Sequence, residues 1–142
     1  MDLDPQEVLL RGVAVLEPVL TPHGFVFRLK GNGKGSGGHF AFGEFSRENR
    51  ILELHFRHSL GLVTYHIGNW ALNHETYLRY LGKWQQHKYP GFSDDPLEAF
   101  RDLVHDIEAF CEDFLSGSGE KFCMFAQEHA RNPDRFKGLE VS

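Results

Sequence analysis

Only two cysteines occur in the 142 residues, so no disulfide framework can hold the fold together. Cations are also scarce: 15 Lys and Arg face 20 Asp and Glu, a formal charge of −5 with His neutral. A chain short of phosphate-neutralising groups is a poor general nucleic-acid binder, so no nucleic-acid partner is expected. No apolar run approaches the ~18 residues of a membrane span, so no membrane association is expected. The start, Met1-Asp2-Leu3-Asp4-Pro5, is acidic and lacks a charged region followed by an apolar one. No secretory leader is therefore expected, and the reducing cytoplasm is the expected location. Metal-site spacings such as H-E-x-x-H are missing, as is the G-x-S-x-G nucleophile elbow. No cofactor is expected, and the reading leans toward a non-enzyme without deciding it.

What is present is aromatic bulk. Thirteen Phe supplement a hydrophobic content of 41%, and each aromatic side chain can bury about 150–250 Å². The length suits one domain over residues 1–142, which can bury roughly two thirds of its unfolded surface. Charge is unevenly spread. Residues 93–120 hold nine acids and one base, Arg101, whereas 23–90 hold nine bases, four acids and seven of the nine His. Such a bipolar surface fits a polar protein partner or a small anionic ligand.

Asp4-Pro5-Gln6-Glu7 has the order of a helix start, and Val8, Gly12, Val15, Leu16 and Val19 follow at helical spacing. Pro18 is expected to kink or end that helix. Phe25, Phe27 and Leu29 alternate with Val26, Arg28 and Lys30 as in a half-buried strand. Residues 31–38 are so rich in Gly that they read as a flexible connector. Lys34 is followed by Gly35, not by the Gly-Lys-Ser/Thr order of a phosphate loop. Strands are expected at 39–47, 50–58 and 61–67, with turns at Glu48-Asn49 and Ser59-Leu60. Asn73 can cap a helix carrying Tyr77, Leu78, Leu81 and Trp84. Asp95-Pro96-Leu97-Glu98 opens a helix over 96–115. Its apolar face runs from Leu97 through Phe100, Leu103 and Ile107 to Phe114, and Asp102, His105 and Asp106 lie away from that face. A last helix spans Glu120 to Arg131, and 132–142 form a loose tail. The order predicts an α+β fold: an N-terminal helix, a four-stranded antiparallel meander, then three helices mainly on one sheet face.

Strand alternation sorts the residues by face. A turn at Glu48-Asn49 pairs Phe45 with Leu52, Gly43 with Leu54 and Ala41 with Phe56 on the core side. A turn at Ser59-Leu60 pairs Phe56 with Val63, Leu54 with Tyr65 and Leu52 with Ile67. The opposite face then gathers Phe40, Phe42, Glu44, Glu53, His55, Arg57, Thr64 and His66. Two Phe beside Arg and His suggest a ligand patch or an interface. A bulge at Gly43 would instead send Phe40 and Phe42 into the core. A site of two His with Glu53 is geometrically possible for a metal, and Glu53 beside His66 has the parts of an acid–base pair. His58 is expected on the face opposite His55. Cys111 and Cys123, six residues either side of Gly117, read as reduced core thiols.

The layout of Val19-Leu20-Thr21-Pro22-His23-Gly24-Phe25, a Phe-bearing strand, then Leu52-Glu53-Leu54-His55-Phe56-Arg57 resembles small uncharacterised bacterial α+β domains. Some of these are immunity-type partners of secreted toxins. The resemblance covers roughly residues 5–85 and implies a bacterial binding protein with no residue roles carried across. The leading expectation is thus a non-enzymatic protein that binds a protein partner, as an immunity protein or adaptor would. Two alternatives stand beside it: a small ligand-binding domain or enzyme using His55, His66, Glu53 and Arg57, and a homodimer joined through the sheet.

Overall fold

The computed structural model describes residues 4–35 and 38–136. Helix α1 spans Pro5–Leu20 and begins as the sequence requires, with the Asp4 side chain accepting from Gln6 N at 3.1 Å. It continues past Pro18 to Leu20 and so does not end there. Pro18 and Ala14, whose carbonyl loses its helical donor, both lie on the exposed side, where water can replace the missing bond. Val8, Leu9, Gly12, Val13, Leu16 and Leu20 form the buried stripe.

Five strands follow, not four: β1 (Val26–Gly35), β2 (Gly38–Arg47), β3 (Arg50–Phe56), β4 (Leu60–Ile67) and β5 (Trp70–Asn73). They form one antiparallel meander in the order β1-β2-β3-β4-β5. The fifth strand returns through the short turn at Gly68-Asn69, a signal that the flanking Ile67 and Trp70 made readable.

Residues 31–35, expected as a connector, are strand; Ser36 and Gly37 lie outside the described residues. The glycines have a packing reason to be there. Gly31 pairs with Phe42 and Gly33 with Phe40. A Cβ on Gly31 would stand 2.7 Å from the Phe42 ring, and one on Gly33 3.2 Å from the Phe40 ring. The bare backbone of β1 is the bed on which the two rings rest. A register shift between Leu29 and Gly31 leaves Lys30 as the extra residue of a bulge. No shift interrupts β2 against β3, so Gly43 carries no bulge and Phe40 and Phe42 stay off the core face.

The β2–β3 pairing is the expected one, Ala41 with Phe56, Gly43 with Leu54 and Phe45 with Leu52. The β3–β4 pairing is displaced by two residues: Leu52 meets Tyr65 and Leu54 meets Val63. Leu60 is buried and starts β4, so the turn is 57–59, with Arg57 N donating to Ser59 O at 3.2 Å. A further shift between Leu54 and Phe56 places two β4 residues, Gly61 and Leu62, opposite His55. A displacement of two preserves the face of each side chain from Arg50 to Leu54 and from Val63 to Ile67, because the strand period is two; beyond the bulge Leu60 is buried opposite Phe56.

Helices α2 (His74–Leu81), α3 (Glu98–Phe110), α4 (Glu112–Leu115) and α5 (Glu120–Arg131) complete the chain. Asn73 caps α2, accepting from Thr76 N at 2.8 Å. Asp95 accepts from Leu97 N at 2.9 Å and so caps a turn just ahead of α3. The helix expected over 96–115 is divided at Cys111, where φ is −101° and ψ 30°. The chain leaves α4 after Leu115 with its last carbonyls free of helical donors, and two sheet arginines take them. Arg50 donates to the carbonyls of Asp113, Phe114 and Gly117 at 3.1, 2.7 and 2.7 Å, and Arg47 to that of Leu115 at 3.1 Å. Asp113 in turn accepts from Phe122 N at 2.8 Å at the start of α5. Of the tail expected to be loose, residues 132–135 are exposed, and the half-buried Phe136 ring lies 4.9 Å from Tyr80.

Ala41, Gly43 and Phe45 of β2, Leu52, Leu54 and Phe56 of β3, Val63, Tyr65 and Ile67 of β4 and Leu72 of β5 are buried on one face, and Leu60 at the start of β4 is buried with them. These join Leu9, Leu16, Tyr77, Phe100, Leu103, Ile107, Phe114 and Phe122 of the helices in one core. Cys111 and Cys123 are free thiols. Among the described residues no helix is long and apolar enough to cross a membrane.

Candidate functional site

The face of the sheet away from the core brings together the candidate residues Phe40, Phe42, Glu53, His55, Arg57 and His66. Glu53, in the middle of β3, is the hub. Its Oε2 lies 2.6 Å from His55 Nε2 and its Oε1 2.9 Å from His66 Nε2. A carboxylate only accepts, so each imidazole carries its hydrogen on Nε2. His66 sits opposite Ile51, not opposite Glu53, and reaches the carboxylate diagonally. Burial alone would raise the Glu53 pKa. The hydrogen bonds and positive character of His55 and His66 outweigh it and hold the carboxyl below its ordinary range.

Aromatic contacts extend the hub toward β1. The Phe42 ring stacks on His55 at 5.2 Å and 7°, and Phe40 follows Phe42 at 6.4 Å. Arg57 lies over the Phe40 ring at 5.5 Å and donates to Gly38 O at 3.1 Å. Glu44 stands directly across from Glu53, a pairing of like charges. The bulge resolves it by bringing Lys30 Nζ to 3.4 Å from Glu44. At the β3–β4 end of the face is a concavity of about 290 Å³, lined by Phe40, His55, Arg57, His58, Ser59 and Gly61 among others. His58, in the 57–59 turn, borders the same space as His55. No group of three or more His, Cys, Asp or Glu among the described residues is arranged to hold a metal ion.

A second polar assembly lies inside the core, where sequence reasoning placed none. Asp106, expected on the outer face of α3, is 0% exposed. Its carboxylate accepts from His74 Nε2 at 2.9 Å, from Lys88 N at 2.9 Å, from Tyr89 N at 3.0 Å and from His105 Nδ1 at 2.9 Å. His74 Nδ1 lies 2.8 Å from Tyr65 Oη, and Cys111 Sγ lies 3.8 Å beyond. Because Asp106 claims the Nε2 hydrogen, Nδ1 must accept, and the Tyr65 hydroxyl donates to it. Tyr89 Oη closes the region by donating to the carbonyls of Leu60 and Gly61 at 2.8 and 2.5 Å. The wheel position of Asp106 carried the missed signal. It is three residues after Leu103 and four before Phe110, at the border of the apolar stripe.

This assembly is built for structure. Burial pushes the Cys111 thiol up to about 12 and the Tyr65 hydroxyl far above its usual range, so neither is a nucleophile near neutrality. Burial also lowers the His74 pKa against the opposing pull of Asp106. Asp106 is held below the usual carboxylate range, because its hydrogen bonds, that of His74 first, exceed its own desolvation. Both groups bind protons more weakly folded than unfolded. The unfolded chain then gains protons first as pH falls, and stability drops with it. The His74 contribution is fully present above its ordinary value of 6.5 and is lost below it; the Asp106 contribution is lost below 3.8. Urea midpoints taken between pH 8 and pH 5 should therefore fall toward acid. The fall should be shallower in His74→Gln, which has no imidazole to titrate; equal slopes would assign the acid loss elsewhere.

Set against protein-family models, curated proteins and solved structures, the chain matches none of them.

Proposed function

We propose that the chain is a non-enzymatic binding protein whose open sheet face docks a protein partner, in the manner of an adaptor or an immunity protein. The observation that carries this reading is the ordered array of Arg57, Phe40, Phe42, His55, Glu53 and His66 on the face opposite the core. Aromatic and Arg side chains dominate the energetics of protein interfaces. Here they are already fixed by stacking and hydrogen bonds, which lowers the entropy lost on docking. Both imidazoles give Nε2 to the same carboxylate. That arrangement favours a fixed recognition surface over an acid–base centre.

The test is affinity capture with the intact chain, repeated with Phe42→Asp and with Glu108→Lys on the exposed side of α3. A partner recovered by the parent and by Glu108→Lys should be lost with Phe42→Asp, by roughly 30-fold or more if Phe42 is an anchor worth ~2 kcal/mol. Urea midpoints of each variant separate lost binding from lost folding. Undiminished recovery with folded Phe42→Asp sinks the proposal. A second reading, a homodimer through the same face, predicts a dimer mass for the parent and a monomer mass for Phe42→Asp by sedimentation equilibrium.

A further inference from the structure

We infer that the concavity at the β3–β4 end of the open face is a carboxylate-binding subsite, filled by an Asp or Glu side chain of the protein partner. This rests on the open-face reading and adds to it the partner's chemistry. None of the described residues lining the concavity is acidic, while Arg57, His55 and His58 all border it. The nearest acid in this cluster, Glu53, has one oxygen on His55 and the other on His66, so its charge is already shared.

Arg57 is the group that selects the ligand. Its guanidinium is anchored from two directions, by the Gly38 carbonyl at 3.1 Å and the Phe40 ring at 5.5 Å. A planar fork held in place matches a carboxylate with little further loss of rotamer freedom. The charge is permanent, so the subsite does not depend on the state of the neighbouring imidazoles.

Gly61 keeps the space open. It is one of the two β4 residues that the register shift places opposite His55. A Cβ there would meet only the His55 carbonyl, at an ordinary 3.7 Å. The bare residue is therefore not demanded by a backbone clash, and a larger side chain would project into free volume. The concavity, about 290 Å³, has room for a side chain of a few heavy atoms together with several waters. Hexaglutamate serves as the probe because it presents the carboxylate without the rest of a partner.

Amide and Arg Nε–H resonances of the ¹⁵N-labelled chain should shift saturably with hexaglutamate, centred on residues 38–40 and 55–61. Hexalysine should leave them unmoved. Binding should weaken by at least about tenfold in Arg57→Gln, and by less in Arg57→Lys, which keeps the charge but not the fork. Gly61→Leu should weaken it by filling the space, with the fold intact by its amide spectrum. No saturable shift, or one that persists unchanged in Arg57→Gln, overturns the inference. So does an equal response to inorganic phosphate, which would mark a general anion patch. Self-association of the chain that Arg57→Gln abolishes would also overturn it, by making a second copy the occupant. The two proposals fail separately. Partner capture indifferent to Phe42→Asp removes the open-face reading even if hexaglutamate binds through Arg57. Capture that needs Phe42 with no hexaglutamate response removes the subsite alone.

Discussion

Asp106→Ala is expected to destabilise the fold by about 3–5 kcal/mol, because several buried donors lose one shared acceptor at once. Four donors converge on this carboxylate, from His74, His105 and the backbone of Lys88 and Tyr89. Removal strands two backbone N–H groups, each costing roughly 1–3 kcal/mol when desolvated and unpaired. It also leaves the buried His74 ring without the acceptor that fixed its tautomer, so the Tyr65 hydroxyl loses its preset partner. In a domain of this size the midpoint of thermal unfolding should drop by roughly 10 °C. Asp106→Asn should fare little better, because its amide brings two more hydrogens to a place that already has an excess of donors. Urea unfolding monitored by far-ultraviolet circular dichroism measures both. A loss below about 1 kcal/mol for the alanine variant would mean that water reaches these groups and that the assembly is not the tie it is described to be.

The second large effect reverses a rule. Gly12 lies inside α1, where Ala is intrinsically favoured over Gly by about 1 kcal/mol. Yet a Cβ at this position would stand 2.4 Å from the ring of Phe100, far inside contact distance. Phe100 is fully buried and stacks against Phe56 at 6.2 Å, so its ring has no open space to enter. Gly12→Ala should therefore cost about 1–3 kcal/mol, the usual price of overpacking, in place of the propensity gain. Pairing it with Phe100→Leu should recover part of the loss, since the smaller side chain vacates the ring's volume. A more stable Gly12→Ala would show that α1 and α3 can move apart freely.

The readable parts of this chain were those governed by local rules. Asp4 and Asn73 cap because their short side chains reach the second or third N–H ahead. The faces of β2, β3 and β4 follow from a period of two, and they survived a two-residue error in the β3–β4 register for that reason. The membership of the candidate face was therefore legible residue by residue, but Glu53 and His66, expected directly opposite each other, meet on a diagonal because of that displacement. What escaped was set by distant partners. Gly31 and Gly33 look like a linker until Phe42 and Phe40 are laid across them. Asp106 looks like a surface acid until His74 and the 88–89 backbone arrive from elsewhere in the chain. Arg47 and Arg50 look like solvated cations until the C-terminal end of α4 supplies their carbonyls.

The sheet's two margins bear on how this molecule meets others. An outer strand offers a row of unpaired backbone groups to any passing chain, which is how amyloid-like addition begins. The margin at β5 is only four residues long. The margin at β1 is ten residues long, but Arg28, Lys30 and Lys34 stud it and the bulge at Lys30 breaks its regularity. Both are devices that blunt strand addition. Growth of the sheet by another chain is thereby disfavoured, and contact with a second molecule is steered from main-chain pairing to side-chain recognition.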